Sequence, residues 1–365
     1  MPRVKALPLV SLLAISPLLS GCQWVVMAPA GDIATQQKDL ILVSTGLMLL
    51  IILPVMALTL LFAWKYRQSN RSATYDPDFH HSTKLEFAIW GAPIAIILVL
   101  GTVTWIATHR LDPYRPLERL DANRPVPEDM EPLRVQVVSL DWKWMFIYPQ
   151  YGIATINELA APVDRPISFT ITSSNLMNSF YVPALAGQIY AMAGMQTKLH
   201  AVINKEGVFD GFSANYTGHG FSHMRFKFHG LSDNDFGAWV ANARASGNAL
   251  TRAAYLDIAR PSEAEPVRYF KSVDGDLFYR IVNMCVPEGK ECMMDIMHKD
   301  ANRISGLGRM GNPAALALAR LEKALADNLC TPGSEPATAL AVVADLAAGN
   351  RRMSAAPAAT RIFSE

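Results

Sequence analysis

The chain has 365 residues, 51% of them hydrophobic, and a formal net charge of +1. So even a balance excludes a basic nucleic-acid surface, and the length suits a membrane anchor with one or two folded units. The four cysteines, Cys22, Cys285, Cys292 and Cys330, lie too far apart for a zinc ribbon.

The N-terminus reads as a targeting segment. Met1 to Lys5 is basic and Ala6 to Leu19 is apolar. That run is too short to span a bilayer and has the flanks of a signal peptide. Leu19-Ser20-Gly21-Cys22 resembles a bacterial lipoprotein signal. The resemblance implies a signal peptide over 1–21, cleavage before Cys22 and a lipid on Cys22, a second attachment beside any spanning helix.

Two spans follow, making residues 22–112 a helical hairpin. Residues 40–64 carry no charge and are long enough, as a helix, to cross the roughly 30 Å of hydrocarbon. Pro54 predicts a kink there, and Trp64 and Tyr66 suit the interface. Residues 87–108 form the second span, with Pro93 inside and Trp90 and Trp105 near its ends. Lys65, Arg67, Arg71 and Lys84 between the spans favour a cytoplasmic loop only weakly, because Arg110, Arg115 and Arg119 follow the second span. An exported Cys22 fixes orientation better: it puts everything after Arg110 in the periplasm. Thr83-Lys84-Leu85-Glu86 reads as a capping box opening the second helix. His80 and His81 read as solvated loop residues.

Residues 113–232 read as a β-domain entered through a Pro-rich, charged connector, Pro113 to Pro132. Leu133 to Leu140, Ile167 to Thr172, Leu199 to Ile203 and Met224 to Phe228 alternate apolar and polar positions, the period of half-buried strands. With Gly, Pro and Asn between them, they predict an antiparallel sandwich or barrel. His219 and His223 would share a face on a helix, but Gly218 and Gly220 make this stretch a loop, and His229 would face away from Met224. A metal site there is disfavoured. Trp142 and Trp144 read as packing residues whose indole N–H groups find partners, and Met192 and Met195 as core filler.

Residues 233–330 read as a helical arm. Asp235 to Arg260 predicts one or two helices with Trp239 on the apolar side. Pro313 to Asn328 has an Asn312 cap and Leu318, Leu321 and Leu325 at helical spacing. Residues 331–365 read as a further helix, Ala337 to Ala348, and a flexible tail. Met293, Met294, Met297 and His298 read as an adaptable apolar face rather than a metal site. In an oxidising compartment Cys285, Cys292 and Cys330 permit three single pairings, of which Cys285–Cys292 is the one expected, with Cys330 left over.

The segment Gly211-Phe212-Ser213-Ala214-Asn215-Tyr216-Thr217-Gly218-His219-Gly220-Phe221-Ser222-His223-Met224 resembles the metal loop of the cytochrome c oxidase subunit II superfamily. So do Asp141-Trp142-Lys143-Trp144-Met145-Phe146-Ile147-Tyr148-Pro149, Gly152 to Glu158, Asn178-Ser179-Phe180-Tyr181-Val182-Pro183 and Gln188 to Met195, which look like subunit II of bo-type ubiquinol oxidases. The resemblance implies two transmembrane helices followed by an all-β cupredoxin-like sandwich and a helical C-terminal arm. In the copper-bearing branch the loop reads Cys-x3-Cys-x3-His-x2-Met, with an upstream His. Here Ser213 and Thr217 stand where the thiolates would be, Phe221 at the loop His, Asn178 at the upstream His and Asn215 at an intervening Glu. Met224 alone is retained. Hydroxyls stay protonated near neutral pH and bind copper weakly, and a phenyl ring has no lone pair.

The resemblance therefore implies a subunit of a proton-pumping ubiquinol oxidase that lacks the dinuclear copper site and carries no cofactor of its own. Heme and copper belong to the partner subunit I, subunits III and IV are further partners, and ubiquinol is the substrate of the complex. The setting is the bacterial inner membrane with the large domain in the periplasm. Within His-Ser-x-Lys-x-Glu, Glu86 matches a family glutamate at the entrance of a proton path, a role compatible with the cap. Two other readings stay open: a copper-binding cytochrome c oxidase subunit II, and a stand-alone cupredoxin-like lipoprotein.

Overall fold

The structure, a computed structural model, describes residues 24–74, 78 and 81–309. The expected signal peptide and Cys22, His80, the helices Pro313 to Asn328 and Ala337 to Ala348, Cys330 and the tail lie outside the described residues.

Two long helices open the chain, α1 (Asp32–Lys65) and α2 (Thr83–Arg110). Both are long and apolar enough to cross a membrane, and the apolar window of each is unburied. They run on through Pro54 and Pro93. The N-cap of α2 is Ser82 rather than Thr83, and Ser82 makes no side-chain cap bond. The Glu86 carboxylate lies 2.7 Å from His81 Nδ1 instead of closing a capping box. The reason is chemical: an adjacent imidazole offers the carboxylate a stronger partner than a backbone N–H.

Helix α1 begins about two turns before its uncharged run and is tied into the β-domain. Ala30 and Ile33 belong to the domain core. The Ala30 and Gly31 N–H groups donate to the Ala184 carbonyl at 2.9 and 3.0 Å, and Asn204 N–H donates to the Ala30 carbonyl at 2.8 Å. Arg119 donates from Nε and Nη2 to the two oxygens of buried Asp32 at 2.9 and 3.1 Å.

The β-domain contains β1 (Leu133–Leu140), β2 (Lys143–Tyr148), β3 (Ile153–Ile156), β4 (Glu158–Pro162), β5 (Pro166–Ser173), β6 (Asn178–Tyr181), β7 (Ile189–Ala191), β8 (Thr197–Val202), β9 (Gly207–Ser213) and β10 (Arg225–Leu231). Helices α3 (Asp233–Ala245), α4 (Arg252–Ile258) and α5 (Leu277–Val282) follow, with short strands β11 (Ala249–Leu250), β12 (Arg268–Phe270) and β13 (Ser272–Val273) among them. One sheet runs β12-β3-β2-β1-β5-β8 and packs against a second, β4-β10-β9-β6-β7. The pairing is mixed rather than wholly antiparallel, since β1–β5 and β4–β10 are parallel. The chain changes sheets at Asn157, whose φ of 57° is one that asparagine tolerates better than most residues. Its Oδ1 accepts from Trp144 N–H at 2.9 Å, which holds the corner. Tyr148 ties the layers again: its hydroxyl donates to the Ala160 carbonyl and accepts from the Ala160 N–H, at 3.0 and 2.9 Å.

Between the sheets, Trp144, Phe146, Phe169, Phe180 and Phe226 form one aromatic cluster with centroids 5.0 to 6.4 Å apart. Each such pair contributes about 0.5–1.5 kcal/mol beyond its buried area. Strands β8 and β10 keep the half-buried alternation that their sequence predicts, whereas most of β1 is buried on both faces. Val138, Leu140, Met145, Ile147, Ala154 and Ile156, on the other face of the larger sheet, are buried under Leu250, Tyr255, Ile258, Phe270, Leu277, Phe278 and Ile281. The arm is thus a third layer with strands of its own. The one or two helices predicted over Asp235 to Arg260 are two, separated where Gly247 takes a φ of +80°. Met195, expected in the core, is exposed in the turn before β8.

A second unit begins at Glu291. Its described part is helix α6 (Met293–Arg309), on which Met294, Ile296 and Met297 are exposed.

A methyl on Gly31 would lie 2.4 Å from the Val202 carbonyl and 2.8 Å from that of Leu185, both rigid backbone. Gly31→Ala is expected to destabilise the chain by about 1–3 kcal/mol. Gly46→Ala, in open space on α1, is the control, and thermal unfolding in detergent reads both.

Candidate functional site

The loop from β9 to β10 and the start of β6 bring the sequence-predicted positions to one end of the sandwich. Asn178 is buried at the head of β6, and Ser213 is buried at the end of β9. Ser213 Oγ donates to Asn178 Oδ1 at 3.1 Å, and Asn178 Nδ2 donates to Ser139 Oγ at 3.2 Å and to the Leu176 carbonyl at 3.1 Å. The Ser213 N–H donates to the Met224 carbonyl at 3.2 Å, and the Met224 side chain is buried. Asn215 Nδ2 reaches the Met177 carbonyl at 3.2 Å. Phe221 is half-buried and packs on exposed Tyr216 with centroids 5.5 Å apart. Thr217 is buried, and its hydroxyl has no hydrogen-bond partner among the described residues.

These contacts define what the site does chemically. The amide of Asn178 and the hydroxyl of Ser213 satisfy each other, which lifts the penalty for burying two polar groups. Neither offers the soft, deprotonated donor that copper takes. No group of three or more His, Cys, Asp or Glu that could hold a metal ion occurs among the described residues. His219, His223 and His229 do not converge. His219 pairs with Glu263, His223 is exposed, and His229 faces Glu158 at 3.5 Å.

Trp142 fixes the loop from above. Its Nε1 donates to the Thr217 carbonyl at 3.0 Å. A methyl on Gly220 would lie 2.5 Å from its ring, and Gly218 takes a φ of +106° beneath the same ring. The two glycines that mark the segment as a loop are therefore the seat of this indole. Trp144 departs from expectation: it is fully buried in the aromatic cluster, and its indole N–H has no partner among the described residues.

Sequence reasoning missed the grip of the arm on this end of the domain. Lys143, though charged, is buried, and its Nζ donates to the Arg260 carbonyl at 2.9 Å and to Ser262 Oγ. Burial holds that ammonium below the ordinary lysine range. Glu158 Oε1 accepts from Trp239 Nε1 at 2.7 Å and from the Tyr269 hydroxyl at 2.6 Å. His219 Nδ1 lies 2.5 Å from Glu263 Oε1. A lysine and a glutamate inside otherwise apolar strands were the available signal: such charges are seldom buried without partners. Cys285 and Cys292 are each disulfide-bonded.

Residues 151–229 match the family described as "Cytochrome C oxidase subunit II, periplasmic domain", and residues 244–289 match "COX Aromatic Rich Motif". The chain is 47% identical over 300 residues to cytochrome bo(3) ubiquinol oxidase subunit 2 of Pseudomonas putida, covering 82% of this chain and 93% of that relative. It is 49% identical over 282 residues to the protein of the same name from Pseudomonas aeruginosa, covering 76% and 82%. Against ubiquinol oxidase subunit 2 of Acetobacter aceti it is 49% identical over 265 residues, covering 73% and 84%.

The bond from Glu263 raises the His219 pKa above its ordinary 6.5. A raised folded value means that the pair stabilises the loop fully below 6.5 and loses that contribution as pH climbs through the raised value. Imidazole NMR is expected to show His219 titrating above 6.5, and Glu263→Gln should return it toward 6.5. A titration unchanged by Glu263→Gln would disprove the pairing.

Proposed function

This chain belongs to the ubiquinol oxidase subunit 2 family, within the cytochrome c oxidase subunit II superfamily, and on that premise we propose that it serves its terminal oxidase as a structural subunit without a redox centre. One observation carries the proposal. Where the copper-bearing branch has thiolates and imidazole, this chain has Ser213, Thr217, Phe221 and Asn178, and the Ser213 hydroxyl and Asn178 amide are hydrogen-bonded to each other.

Ser213 and Asn178 are engaged with each other, Phe221 has no lone pair, and the Thr217 hydroxyl stays protonated, so the position lacks the soft, deprotonated donors that copper takes. Electrons then reach the complex from ubiquinol within the bilayer, and the heme and copper that reduce O2 to water while protons are pumped reside in subunit I. The hairpin α1–α2 packs on that subunit in the inner membrane, through small residues and shape fit rather than hydrophobic drive. Subunits III and IV complete the assembly. The β-domain and its arm stand on the periplasmic side, with lipid on Cys22 as a second anchor once residues 1–21 are removed. Cys285 pairs with Cys292: both are disulfide-bonded, and a short loop closes between them.

Glu86 is the entrance of a proton path into subunit I. It sits half-exposed in the first turn of α2, and His81 lies 2.7 Å from its carboxylate. An imidazole beside a carboxylate is a fitting proton donor and acceptor near neutral pH.

Two measurements on the purified complex test this reading. Ubiquinol should drive rapid oxygen uptake while reduced cytochrome c does not, and paramagnetic resonance should show no mixed-valence dinuclear copper. A dinuclear copper signal would restore the electron-transfer reading. Glu86→Gln should slow reductive proton uptake several-fold, whereas unchanged turnover and heme reduction kinetics would leave Glu86 only as the partner of His81.

A further inference from the structure

A separate cavity of about 540 Å³ lies where the helical hairpin joins the β-domain. That is within the roughly 300–1,000 Å³ of small-ligand sites. Its walls are the first turns of α1, residues 110–119 beyond α2, and the segment around Gln188 and His200 of the β-domain.

The cavity sits at a defined depth. Leu40 opens the uncharged run of α1, and Gln36 and Gln37 of the cavity wall lie in the turn just before it. On α2, Trp105 marks an interfacial level, and Arg110 is five residues further, about 7–8 Å along the axis. Both helices thus leave the hydrocarbon at the cavity floor, in the layer where lipid headgroups lie.

Its charges select among occupants. Asp32 is held by Arg119, and Glu118 by Arg115. Arg110 remains, with no ion pair or hydrogen bond among the described residues. Asp112 also remains: its Oδ1 accepts the Tyr114 N–H at 2.9 Å, and it forms no ion pair among the described residues. Burial and the nearby Lys198 charge hold His200 below the ordinary imidazole range, so it adds little charge near pH 7. One unanswered cation and one unanswered anion share the space. An uncharged quinol ring answers neither, and a purely anionic headgroup or free phosphate answers Arg110 while repelling Asp112.

We propose that this cavity seats the headgroup of a zwitterionic phospholipid from the leaflet facing the β-domain, its phosphate on Arg110 and its amine on Asp112. Guanidinium is well matched to phosphate, and the side-chain amides of Gln37 and Gln188 supply neutral donors beside it. The lipid would act as a shim between the hairpin and the β-domain. The inference depends on the hairpin crossing the bilayer and is independent of whether the loop site binds copper.

The test uses the assembled complex, stripped of lipid in detergent and offered phosphatidylethanolamine, phosphatidylglycerol or inorganic phosphate, with retained lipid read by native mass spectrometry. Phosphatidylethanolamine is expected to bind in preference to phosphatidylglycerol and to resist competition by inorganic phosphate. Arg110→Gln should weaken it roughly tenfold or more, the loss of one charge-assisted contact. Asp112→Asn should erase the preference between the two lipids. The heme spectra of both variants, read alongside the lipid measurements, are the check on assembly. Equal binding of the two lipids, displacement by inorganic phosphate, or full retention by Arg110→Gln overturns the proposal. Release of the chain from membranes at alkaline carbonate overturns it at its premise, the spanning hairpin.

Discussion

A β-sheet with apolar side chains on both faces cannot be left half in water. In β1 and β2 the inner positions are Val135, Val137, Trp144 and Phe146, and the outer ones Val138, Leu140, Met145 and Ile147; all are buried, in two separate clusters. At about 25 cal/mol per Å² of apolar surface, each face needs its own cover. The second sheet covers one and the arm covers the other, so the arm is a layer of the fold rather than an appendage. Its linking segment, residues 260–270, is rich in charged residues and proline. Polar contacts therefore hold it: Lys143 to the Arg260 carbonyl, Asn157 Nδ2 to the Glu265 carbonyl at 2.8 Å, and Tyr269 to Glu158.

The loop between β9 and β10 meets a second demand of the same kind. A metal ion can organise a loop through its coordination free energy alone. Here the order comes from weaker parts acting together: the Ser213–Asn178 bond, the Ser213 N–H on the Met224 carbonyl, the Trp142 indole on the Thr217 carbonyl, and the close seat of Gly220 under that indole. Each hydrogen bond is worth only about 0.5–1.5 kcal/mol net. Their sum is enough for a loop whose two ends are already fixed in neighbouring strands.

What was legible in the sequence follows from how each element is buried. The strands β1, β5, β8 and β10 showed in their period of two, and the two long helices in their uncharged runs. Strand β2 reads Lys-Trp-Met-Phe-Ile-Tyr because it is covered on both sides, which removes the alternation that would mark it. Strands β6 and β7 are too short to show a period. The positions of the candidate site were legible because motif spacing is local. The contacts that complete it were not: His219 meets Glu263, and Lys143 meets Arg260, across long stretches of chain that no local pattern records. The helix cap failed for a related reason, since His81 just outside the motif competes for Glu86.

The join between hairpin and domain follows from the same competition for backbone partners. A flexible linker would leave the β-domain free to swing over the bilayer. This chain has none at α1: Ala30 and Gly31 are bonded to Ala184, Asn204 to Ala30, and Gly31 forms a bridge with Ile203 at the edge of the larger sheet. Gly31 is there because only a residue without a side chain fits between two carbonyls. The next residue, Asp32, is buried and would be costly unpaired, so the Arg119 fork that neutralises it also pins the connector leaving α2. Both ends of the hairpin are thereby fixed to the same point of the domain. A domain held in this way has no flexible joint to α1, so its placement relative to the hairpin is part of the fold itself.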